Sequence, residues 1–454
     1  MTPRVLPNAL LIEGGRIIDP AREIDRVADL AVIDGVIAES ADGLDMPVFD
    51  AQSLIVAPGL IDIHVHLREP GGEHKETIAT GTAAAVAGGF TTVACMPNTA
   101  PALDSPERIA WVRRRARTTG SCRVLPVAAL TVGRQGRELV NLDALTRAGA
   151  VAFSDDGDGI DDDQVMLGVL EGTRAVGGLL IQHCQDKEIS PDGAMHAGPA
   201  AEALNLPGQD PRAEESMLER DLALVRRTNT RYHVAHVSTA GTVDLVRRAK
   251  SDGLPVTAEV CPHHLTLCDR DVLDSRGDAN FKVNPPLRSS DDVRACIEGL
   301  LDGTIDCVVT DHAPHTPQEK SVGFAEAPFG LVGLETALAL VYRVLSGNGP
   351  RVSAHAASRL ARSSQTIWTT LVDLMCIAPT RVIGLPLPTL APGHPADITI
   401  IDPQTPWMVD PEMFASKARN TPYGGWELTA RAAATLVAGE MRYLHQDAAA
   451  RWIG

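Results

Sequence analysis

The chain has 454 residues, of which 44% are hydrophobic and 22% charged, as expected of a globular protein with a large core. Its formal net charge of −17 argues against nucleic acid or an anionic membrane surface as a partner. No apolar run is long enough to span a bilayer, and the first residues lack the apolar core of a signal peptide. The eight cysteines form no Cys-x-x-Cys pair, so we expect reduced thiols in a cytoplasmic protein.

Short apolar runs broken by turn residues occupy both ends of the chain. The first set lies within residues 1–56, and the second lies within residues 391–454, chiefly at 396–402 and 434–440. Chain termini often lie close together in a folded protein. We therefore predict that the two ends form a single small β domain.

Predicted strands and helices alternate through residues 57–390. Eight segments are typical of short buried strands: 60–67, 91–96, 123–130, 151–154, 179–183, 232–237, 256–260 and 307–310. Helical patterns separate most of them, at 78–87, 106–118, 163–176, 213–227, 242–249 and 290–300. Eight such units predict an α/β fold, namely a (β/α)8 TIM-type barrel, whose active site lies at the carboxyl ends of the strands.

Five of the predicted strands end in side chains that can bind a divalent metal ion. His64 and His66 are two residues apart on the first strand, so both point to the same face and form half of a metal site. The remaining candidates at strand ends are Asp155, Asp156, His183, His236 and Asp311.

The fourth strand is followed by an acidic run in which either Asp155 or Asp156 could be the carboxylate that bridges two metal ions. Many two-metal hydrolases of this architecture bridge their ions with a carboxylated lysine, but the chain has no lysine between Lys75 and Lys187. A bridge here would have to be an aspartate, and strand parity does not distinguish the two. The later acidic residues of the run are interpreted as a solvated loop or a helix cap.

Asp311 follows four nearly apolar residues, where a carboxylate is costly to bury unless it is paired or bound to metal. Such a group can bind a metal ion and also accept a proton from activated water. His315, on the loop that follows, is positioned to reach a substrate.

The other histidines are interpreted as structural or superficial. His233 and His236 are an odd number of residues apart, which places them on opposite faces of a strand, so we expect His233 to be structural. The same argument applies to the adjacent His263 and His264. We expect surface positions for five more: His74, His196, His355, His394 and His445.

Seven motifs along the barrel form a specific combination. They are DIHVHLREPG at 62–71, MPNT at 96–99, FSDDG at 153–157, HVST at 236–239, NPPLR at 284–288, TDHAPH at 310–315 and APFG at 327–330. With these motifs the chain resembles the amidohydrolase superfamily and, within it, the type I dihydroorotases, over nearly its whole length. Two departures from the family pattern, at Gln185 and Gln318, do not fall on ligand positions.

The resemblance implies a set of site residues. It implies two zinc ions held by His64, His66, Asp156, His183, His236 and Asp311, with Asp311 also catalytic. It implies substrate contacts from His66, Arg68, Asn98, Asn284, His315, Phe329 and Gly330.

The implied activity is that of a dihydroorotase, EC 3.5.2.3, in de novo pyrimidine biosynthesis. Such an enzyme reversibly cyclises N-carbamoyl-L-aspartate to (S)-dihydroorotate, and in the hydrolytic direction it uses zinc-hydroxide attack on the cyclic amide. The planar fork of Arg68 would bind the substrate carboxylate. The resemblance also favours a homo-oligomer, most simply a dimer, and leaves association with aspartate transcarbamoylase open.

Two alternatives remain at this point. One is a different cyclic-amide hydrolase, such as an allantoinase or a dihydropyrimidinase, which the missing bridging lysine and the pair Arg68 and Asn98 disfavour. The other is a non-catalytic paralogue that serves as a scaffold for aspartate transcarbamoylase. Such proteins lose metal ligands, whereas this chain retains all six.

Overall fold

The computed structural model describes residues 4–5, 9–41, 44–349 and 364–453. Its central feature is a sheet of eight parallel strands: β1 Leu60–Val65, β2 Phe90–Cys95, β3 Arg123–Ala128, β4 Ala152–Phe153, β5 Leu180–Gln182, β6 Tyr232–Val234, β7 Val256–Val260 and β8 Cys307–Val308. Each strand pairs with the next one in sequence, and a parallel bridge between Val65 and His312 brings the end of β1 beside the segment after β8. The predicted (β/α)8 barrel is confirmed.

Helices cover the outside of the barrel and follow most strands. Their bounds are Ile78–Ala87, Pro106–Thr119, Leu142–Ala148, Asp163–Ala175, Pro199–Leu204, Arg212–Thr228, Ala240–Ser251, Pro262–Thr266, Asp269–Asp274, Ser290–Asp302, Pro317–Lys320, Ala337–Leu345, Ser364–Val372 and Ala378–Ile383, with a π-helical turn at Asp373–Ile377. The hydroxyls of Thr77 and Ser289 cap their helices by accepting a backbone N–H of the first turn. One apolar cluster fills the space between strands and helices, and a smaller one fills the barrel interior.

Several barrel strands end one to three residues before their predicted ends. After the observed ends of β1, β6 and β8, one residue in each segment has a positive φ: Arg68 at 59°, His236 at 33° and Asp311 at 45°. This region is unfavourable for residues other than glycine and is found where a site imposes it. The backbone therefore leaves the hydrogen-bonded ladder where the candidate functional side chains lie.

The two ends of the chain meet in a second sheet, which confirms the predicted separate β domain. Antiparallel pairing of Ile55–Pro58 with Ile398–Asp402 joins the amino-terminal and carboxyl-terminal segments. The other strands of this sheet are Ala9–Asp19, Ile24–Ile33, Val36–Ile37, Val48–Asp50, Arg431–Val437, Glu440–Leu444 and Trp452–Ile453. The domain boundaries at 56/57 and 390/391 stay predictions.

Three short two-stranded pairs complete the fold: Arg4–Val5 with Leu44–Asp45, Met195–His196 with Gly208–Gln209, and Trp407–Met408 with Glu427–Leu428. Short 3-10 turns lie at Pro20–Arg22, Val132–Arg134, Ala279–Phe281, Pro411–Met413 and Gln446–Arg451. Within the described part of the chain, no helix combines the length and apolar character needed to cross a lipid bilayer.

Two predictions about the other histidines are wrong: the strand-based separation of His263 from His264 and the surface position of His196. His263 and His264 lie on the short helix Pro262–Thr266, because Pro262 begins a helical turn directly after β7, and their ring centres are 4.3 Å apart. His196 is buried on the short strand Met195–His196 rather than exposed. His74 and His394 are exposed and His445 is half-buried, while His355 lies outside the described residues.

The prediction that His233 and His236 face opposite sides is also wrong. His233 contacts Glu259, which in turn contacts His64 inside the barrel, and His236 lies close to Asp156. Both imidazoles face the interior because the positive φ of His236 breaks the strand alternation.

Candidate active site

The carboxylate of Asp156 lies among four imidazoles at the carboxyl end of the barrel. Its Oδ1 is 3.3 Å from Nε2 of His64, 3.6 Å from Nε2 of His236 and 3.9 Å from Nδ1 of His183. Its Oδ2 is 3.5 Å from Nε2 of His66. The two oxygens of one side chain therefore face different imidazoles.

Asp311 completes one side of this cluster. Its Oδ1 lies 2.8 Å from Nε2 of His66 and 3.7 Å from Nε2 of His64. On the other side, Nδ1 of His183 lies 2.9 Å from Nε2 of His236. Asp156 thus lies between a group from β1 and β8 and a group from β5 and β6.

The donor set fits divalent metal ions. His64, His66 and Asp311 form one group whose ligand atoms all lie within 4.8 Å of one another, and His64, Asp156 and His236 form a second. Nε2 of His64 and Oδ1 of Asp156 are buried without a hydrogen-bond partner among the described residues. Buried polar atoms are costly when unpaired, so unpaired ligand atoms that converge on one point fit a metal ion.

Buried outer contacts orient two of the imidazoles. Nδ1 of His64 is 2.6 Å from Oε1 of Glu259, and the other oxygen of Glu259 is 3.0 Å from Nε2 of His233. Nδ1–H of His66 donates to Oδ1 of Asn98 at 2.8 Å. Each contact holds one ring nitrogen and leaves the other directed at the cluster, as is usual for histidine ligands of metals.

Without metal, the charges of the cluster balance one another. Burial disfavours protonation of His64, but the carboxylates of Asp156 and Glu259 outweigh it and raise its pKa well above the ordinary value. Burial likewise opposes ionisation of Asp156, yet the nearby charge of His64 keeps the pKa of Asp156 well below its usual range. The pKa of Asp311 is also lowered, against its burial, by the hydrogen bond and charge of His66. Burial and the charge of His236 lower the pKa of His183 to about 4.

Asp155 is directed away from this cluster. It is buried, and its Oδ1 accepts the backbone N–H groups of Leu130 and Thr131 at 2.8 and 3.2 Å. The Thr131 hydroxyl donates to its Oδ2. The adjacent aspartates thus have different contacts: Asp155 accepts hydrogen bonds from the loop after β3, and Asp156 lies among the imidazoles.

A small polar cavity of about 150 Å³ opens onto the cluster. Arg68 lies on its wall, where its Nε donates to the carbonyl of Pro314 at 3.2 Å and its Nη2 is 3.2 Å from Nε2 of His315. Nε2–H of His315 donates to the carbonyl of Phe329 at 2.8 Å. Burial, together with the charges of Arg68 and Lys75, lowers the pKa of His315 to about 2, so its ring is neutral. A larger recess of about 790 Å³ lies at the opposite end of the barrel, away from all the candidate residues.

The remaining predicted substrate residues also line this cavity. Asn98 donates from Nδ2 to Oδ2 of Asp156 at 3.3 Å. Asn284 places its Nδ2 3.1 Å from Nε2 of His183 and 2.8 Å from Oε1 of Gln185. Gly330, with a φ of 127°, approaches Ala313 so closely that a Cβ would lie 2.6 Å from the Ala313 Cβ. The structure thus brings all the predicted site residues to one end of the barrel.

Three further polar residues that the sequence reasoning missed support the site. Glu259 stands out as a charged residue in the otherwise uncharged strand Val256–Val260, and that contrast could have identified it. Asp62 accepts the backbone N–H groups of His64 and Thr310, which joins β1 to the end of β8. Asn420 accepts the backbone N–H of His315 at 3.0 Å, and no local motif marks it.

Comparison with known proteins places this geometry in a family. A family model described as dihydro-orotase-like matches residues 53–242. The dihydroorotase of Anaeromyxobacter dehalogenans strain 2CP-C is 47% identical over 97% of this chain and 99% of its own length. That of Pelotomaculum thermopropionicum is 47% identical over 96% of this chain and 99% of its own.

Solved structures show the same architecture at lower sequence identity. The L-hydantoinase (dihydropyrimidinase) of Arthrobacter aurescens superposes with a TM-score of 0.80 at 25% identity, over 95% of both chains. A D-hydantoinase structure gives a TM-score of 0.78 at 24% identity. These likenesses agree with the barrel and β domain described above. Since the relatives that match it at 47% identity cover nearly its whole length, this chain belongs to the dihydroorotase family of the amidohydrolase superfamily.

Proposed function

We propose that the chain reversibly cyclises N-carbamoyl-L-aspartate to (S)-dihydroorotate, the dihydroorotase step of pyrimidine biosynthesis. The observation that carries this proposal is the near-complete coverage by curated dihydroorotases at 43–47% identity. The position of Arg68 supports it, because a guanidinium on the wall of the catalytic cavity suits a substrate carboxylate that a neutral cyclic amide lacks.

The six clustered side chains hold two zinc ions in this proposal. Two groups of donors would hold them: His64, His66 and Asp311 on one side and His183 and His236 on the other, with Asp156 between the two groups. Imidazole and carboxylate donors suit zinc, and the chain has no lysine between Lys75 and Lys187, the stretch that contains β4. When bound, the ions would supply Lewis acidity toward the scissile amide carbonyl and lower the pKa of water toward neutrality.

Asp311 moves the proton. Its Oδ1 lies at the base of the cavity, beside both imidazoles of β1. In the hydrolytic direction it takes the proton of the attacking water and delivers it to the leaving ring nitrogen. In cyclisation it takes a proton from the carbamoyl nitrogen, by reversal of the same path. Against its burial, the hydrogen bond and charge of His66 lower its pKa, so Asp311 is ionised at neutral pH, as a proton acceptor must be.

A second group of side chains binds the substrate. Arg68 pairs with the substrate carboxylate through two parallel N–H donors, and Asn98 and His315 complete this anion site. The amide of Asn284 and the backbone of Phe329 and Gly330 contact the rest of the ring. His315 is neutral, so Arg68 supplies the positive charge.

Substrate assays and metal analysis test the proposal together. The purified protein, supplied with zinc, is assayed with dihydroorotate, N-carbamoyl-L-aspartate, dihydrouracil, hydantoin and allantoin. We expect turnover of the first two to exceed that of the neutral cyclic amides, with close to two zinc ions per chain. Faster turnover of dihydrouracil or hydantoin would favour the hydantoinase or dihydropyrimidinase activity named for the structural neighbours. Full activity in metal-free protein would refute the metal mechanism.

The compartment, the oligomeric state and the protein partner are proposed from fewer observations. All eight cysteines are free and buried, which supports a reducing compartment and hence the cytoplasm. A homodimer, and association with aspartate transcarbamoylase, are proposed from the family resemblance alone. Sedimentation velocity of the protein, alone and mixed with the transcarbamoylase of the same cell, tests both.

A further inference from the structure

A buried chain of polar groups runs from Arg288 to the catalytic cavity. Gln209 is 2% exposed and ends the short strand Gly208–Gln209, outside the barrel proper. Its Oε1 accepts from Nη2 of Arg288 at 3.1 Å, and its backbone carbonyl accepts from Nη1 at 3.0 Å. Its Nε2 lies 3.1 Å from Oδ1 of Asn284.

The chemistry of a guanidinium fixes the direction of every hydrogen bond in this chain. Arg288 has only donors, so the oxygen of the Gln209 amide must face it. The Gln209 nitrogen then faces Asn284 and donates to its oxygen. The nitrogen of Asn284 consequently faces the cavity, toward His183 and Gln185. The orientation of a substrate-facing amide thus follows from a residue that does not line the cavity.

The side chain of Arg288 is held in one position, so it sets the direction of the hydrogen bonds that follow. It is 2% exposed, and its Nε donates to Oγ of Ser238 at 3.0 Å. Its Nη2 lies 3.4 Å from Oε2 of Glu214, which also accepts the Ser238 hydroxyl. A cation held by a buried carboxylate, a hydroxyl and a backbone carbonyl has little freedom to turn, so Gln209 cannot reverse its amide without losing a charge-assisted hydrogen bond.

We infer that Gln209 is a positioning residue that holds the Asn284 amide with its N–H donor toward the substrate. An Asn284 turned by 180° would present oxygen to the cavity and repel a carbonyl or carboxylate oxygen of the substrate. Gln209 therefore selects for a ligand that accepts a hydrogen bond at this point. The identity of that ligand as dihydroorotate rests on the proposed function.

Two substitutions of Gln209 distinguish the effect of its N–H donor from the effect of its side-chain volume. Gln209→Glu still offers oxygen to Arg288 but replaces the donor to Asn284 with an acceptor, which favours the reversed Asn284 amide. Gln209→Met keeps the approximate volume and removes both contacts. We expect each to raise KM for dihydroorotate by about five- to tenfold, the loss of a neutral hydrogen bond, with zinc content close to the parent's. Gln209→Glu should also keep the parent's melting temperature, whereas Gln209→Met should lower it, because a buried N–H of Arg288 loses its acceptor. The exposed Gln404→Glu adds the same charge elsewhere and controls for it.

A double-mutant cycle with Asn284→Ala provides the decisive measurement. If Gln209 acts through the Asn284 amide, Gln209→Glu should change KM by less than about twofold once Asn284 is alanine. An effect of Gln209→Glu that persists unchanged in that background would overturn the inference, and so would a parental KM for both Gln209 variants. If Gln209 only stabilised the fold, its substitution would lower the melting temperature by the same amount in the parent and in the Asn284→Ala background.

The same experiment separates this inference from the proposed function. A parent protein that turns over dihydrouracil but not dihydroorotate would refute the proposed function. The cycle would then be measured on dihydrouracil, whose ring carbonyls also accept hydrogen bonds. Loss of coupling in that measurement would overturn the positioning role by itself.

Discussion

At the scale of single residues, the adjacent side chains Asp155 and Asp156 have different roles. Asp156 contacts the imidazole cluster, whereas Asp155 accepts three hydrogen bonds from Leu130 and Thr131. Asp156→Ala should abolish activity and lower the zinc content. Asp155→Ala should retain zinc but lower the free energy of unfolding by about 2–4 kcal/mol, because it leaves buried N–H groups unpaired. Metal analysis and urea unfolding of both variants measure this; zinc loss in Asp155→Ala alone would reverse the two roles.

Asp311 is expected to separate proton transfer from metal binding. Asp311→Asn keeps an oxygen beside His66 but removes the base. Turnover should fall by at least about 100-fold in both directions while most of the zinc is retained, since positioned acid–base groups contribute on that order. Steady-state rates in both directions, with zinc measured on the same samples, check it. Turnover near the parent's would mean that another group moves the proton.

Arg68 is expected to control the choice between charged and neutral substrates. Arg68→Met removes the guanidinium from the cavity wall, and turnover of dihydroorotate should fall by roughly tenfold to 100-fold. Turnover of dihydrouracil, which lacks the carboxylate, should not fall in parallel, and zinc should stay bound. Comparison of kcat/KM for the two substrates measures this. Equal losses would assign Arg68 to support of the metal site.

Single residues also show where sequence reasoning ends. His64 and His66 are recognisable because strand periodicity places them on one face, and the short motifs mark the other candidates. The charge contrast in its strand marks Glu259 but not its partner His64, which lies 195 residues away, and Gln209 was missed because its partner Asn284 lies 75 residues away. Such contacts depend on the closure of the barrel, which local patterns do not describe.

At the scale of elements, the segment from His315 to Gly330 is held over the cavity by two lysines. Lys320 is 9% exposed, and its Nζ donates to the carbonyls of Ala279 and Pro328 at 2.9 and 2.8 Å. Nζ of Lys282 donates to the carbonyl of Ala325 at 2.8 Å and lies 4.4 Å from the ring centre of Phe329. These contacts cross-link the segment that carries the substrate-facing backbone.

Lys320→Met should loosen this segment without disturbing the metal centre. The carbonyls it serves would lose their donor, so residues 315–330 should exchange amide hydrogens faster and KM for dihydroorotate should rise by about fivefold or more. Hydrogen exchange and kinetics measure both. Lys250→Met, which removes an ion pair with Asp306 on a different element, is the matched control. Unchanged exchange over 315–330 would contradict the cross-link.

Element boundaries were predictable except where the site distorts them. The helices beginning at Ile78, Pro106 and Asp163 start where the pattern predicts. The ends of β6 and β8 were placed too late because His236 and Asp311 adopt a positive φ, which propensity disfavours. β7 ends at Val260 as predicted and Pro262 begins a helix directly after it, so the strand-parity argument does not apply to His263 and His264. At these positions the tertiary contacts of the site override the local conformational preference of the backbone.

At the scale of the whole molecule, the candidate metal cluster joins distant parts of the chain. Its proposed ligands lie at the ends of β1, β4, β5, β6 and β8, and Asp156 contacts all four imidazoles. The terminal segments are joined separately by the sheet that pairs Ile55–Pro58 with Ile398–Asp402. Hydrophobic patterning predicted the barrel strands and the terminal β domain, whereas the full ligand set was implied by the family resemblance. Without metal, the buried carboxylates of the cluster are balanced by protonated imidazole, chiefly that of His64.

Removal of metal should therefore destabilise the entire barrel, and more strongly as pH rises. Ions that bind only the folded chain stabilise it by about 2.7 kcal/mol at a hundredfold excess over Kd. Without metal, the raised pKa of His64 contributes stability that is fully present below the unfolded value of about 6.5 and is lost as pH rises through the folded value. The lowered pKa values of Asp156 and Asp311 keep their contribution through the neutral range, where it does not change with pH. Metal needs unprotonated imidazole, so the gap between zinc-loaded and chelated protein should widen from acidic to alkaline pH. Denaturant unfolding of both forms across that range measures the gap, and Asp156→Ala should show a much smaller one. A gap that shrinks with pH would mean that the cluster does not exchange protons for metal as it folds.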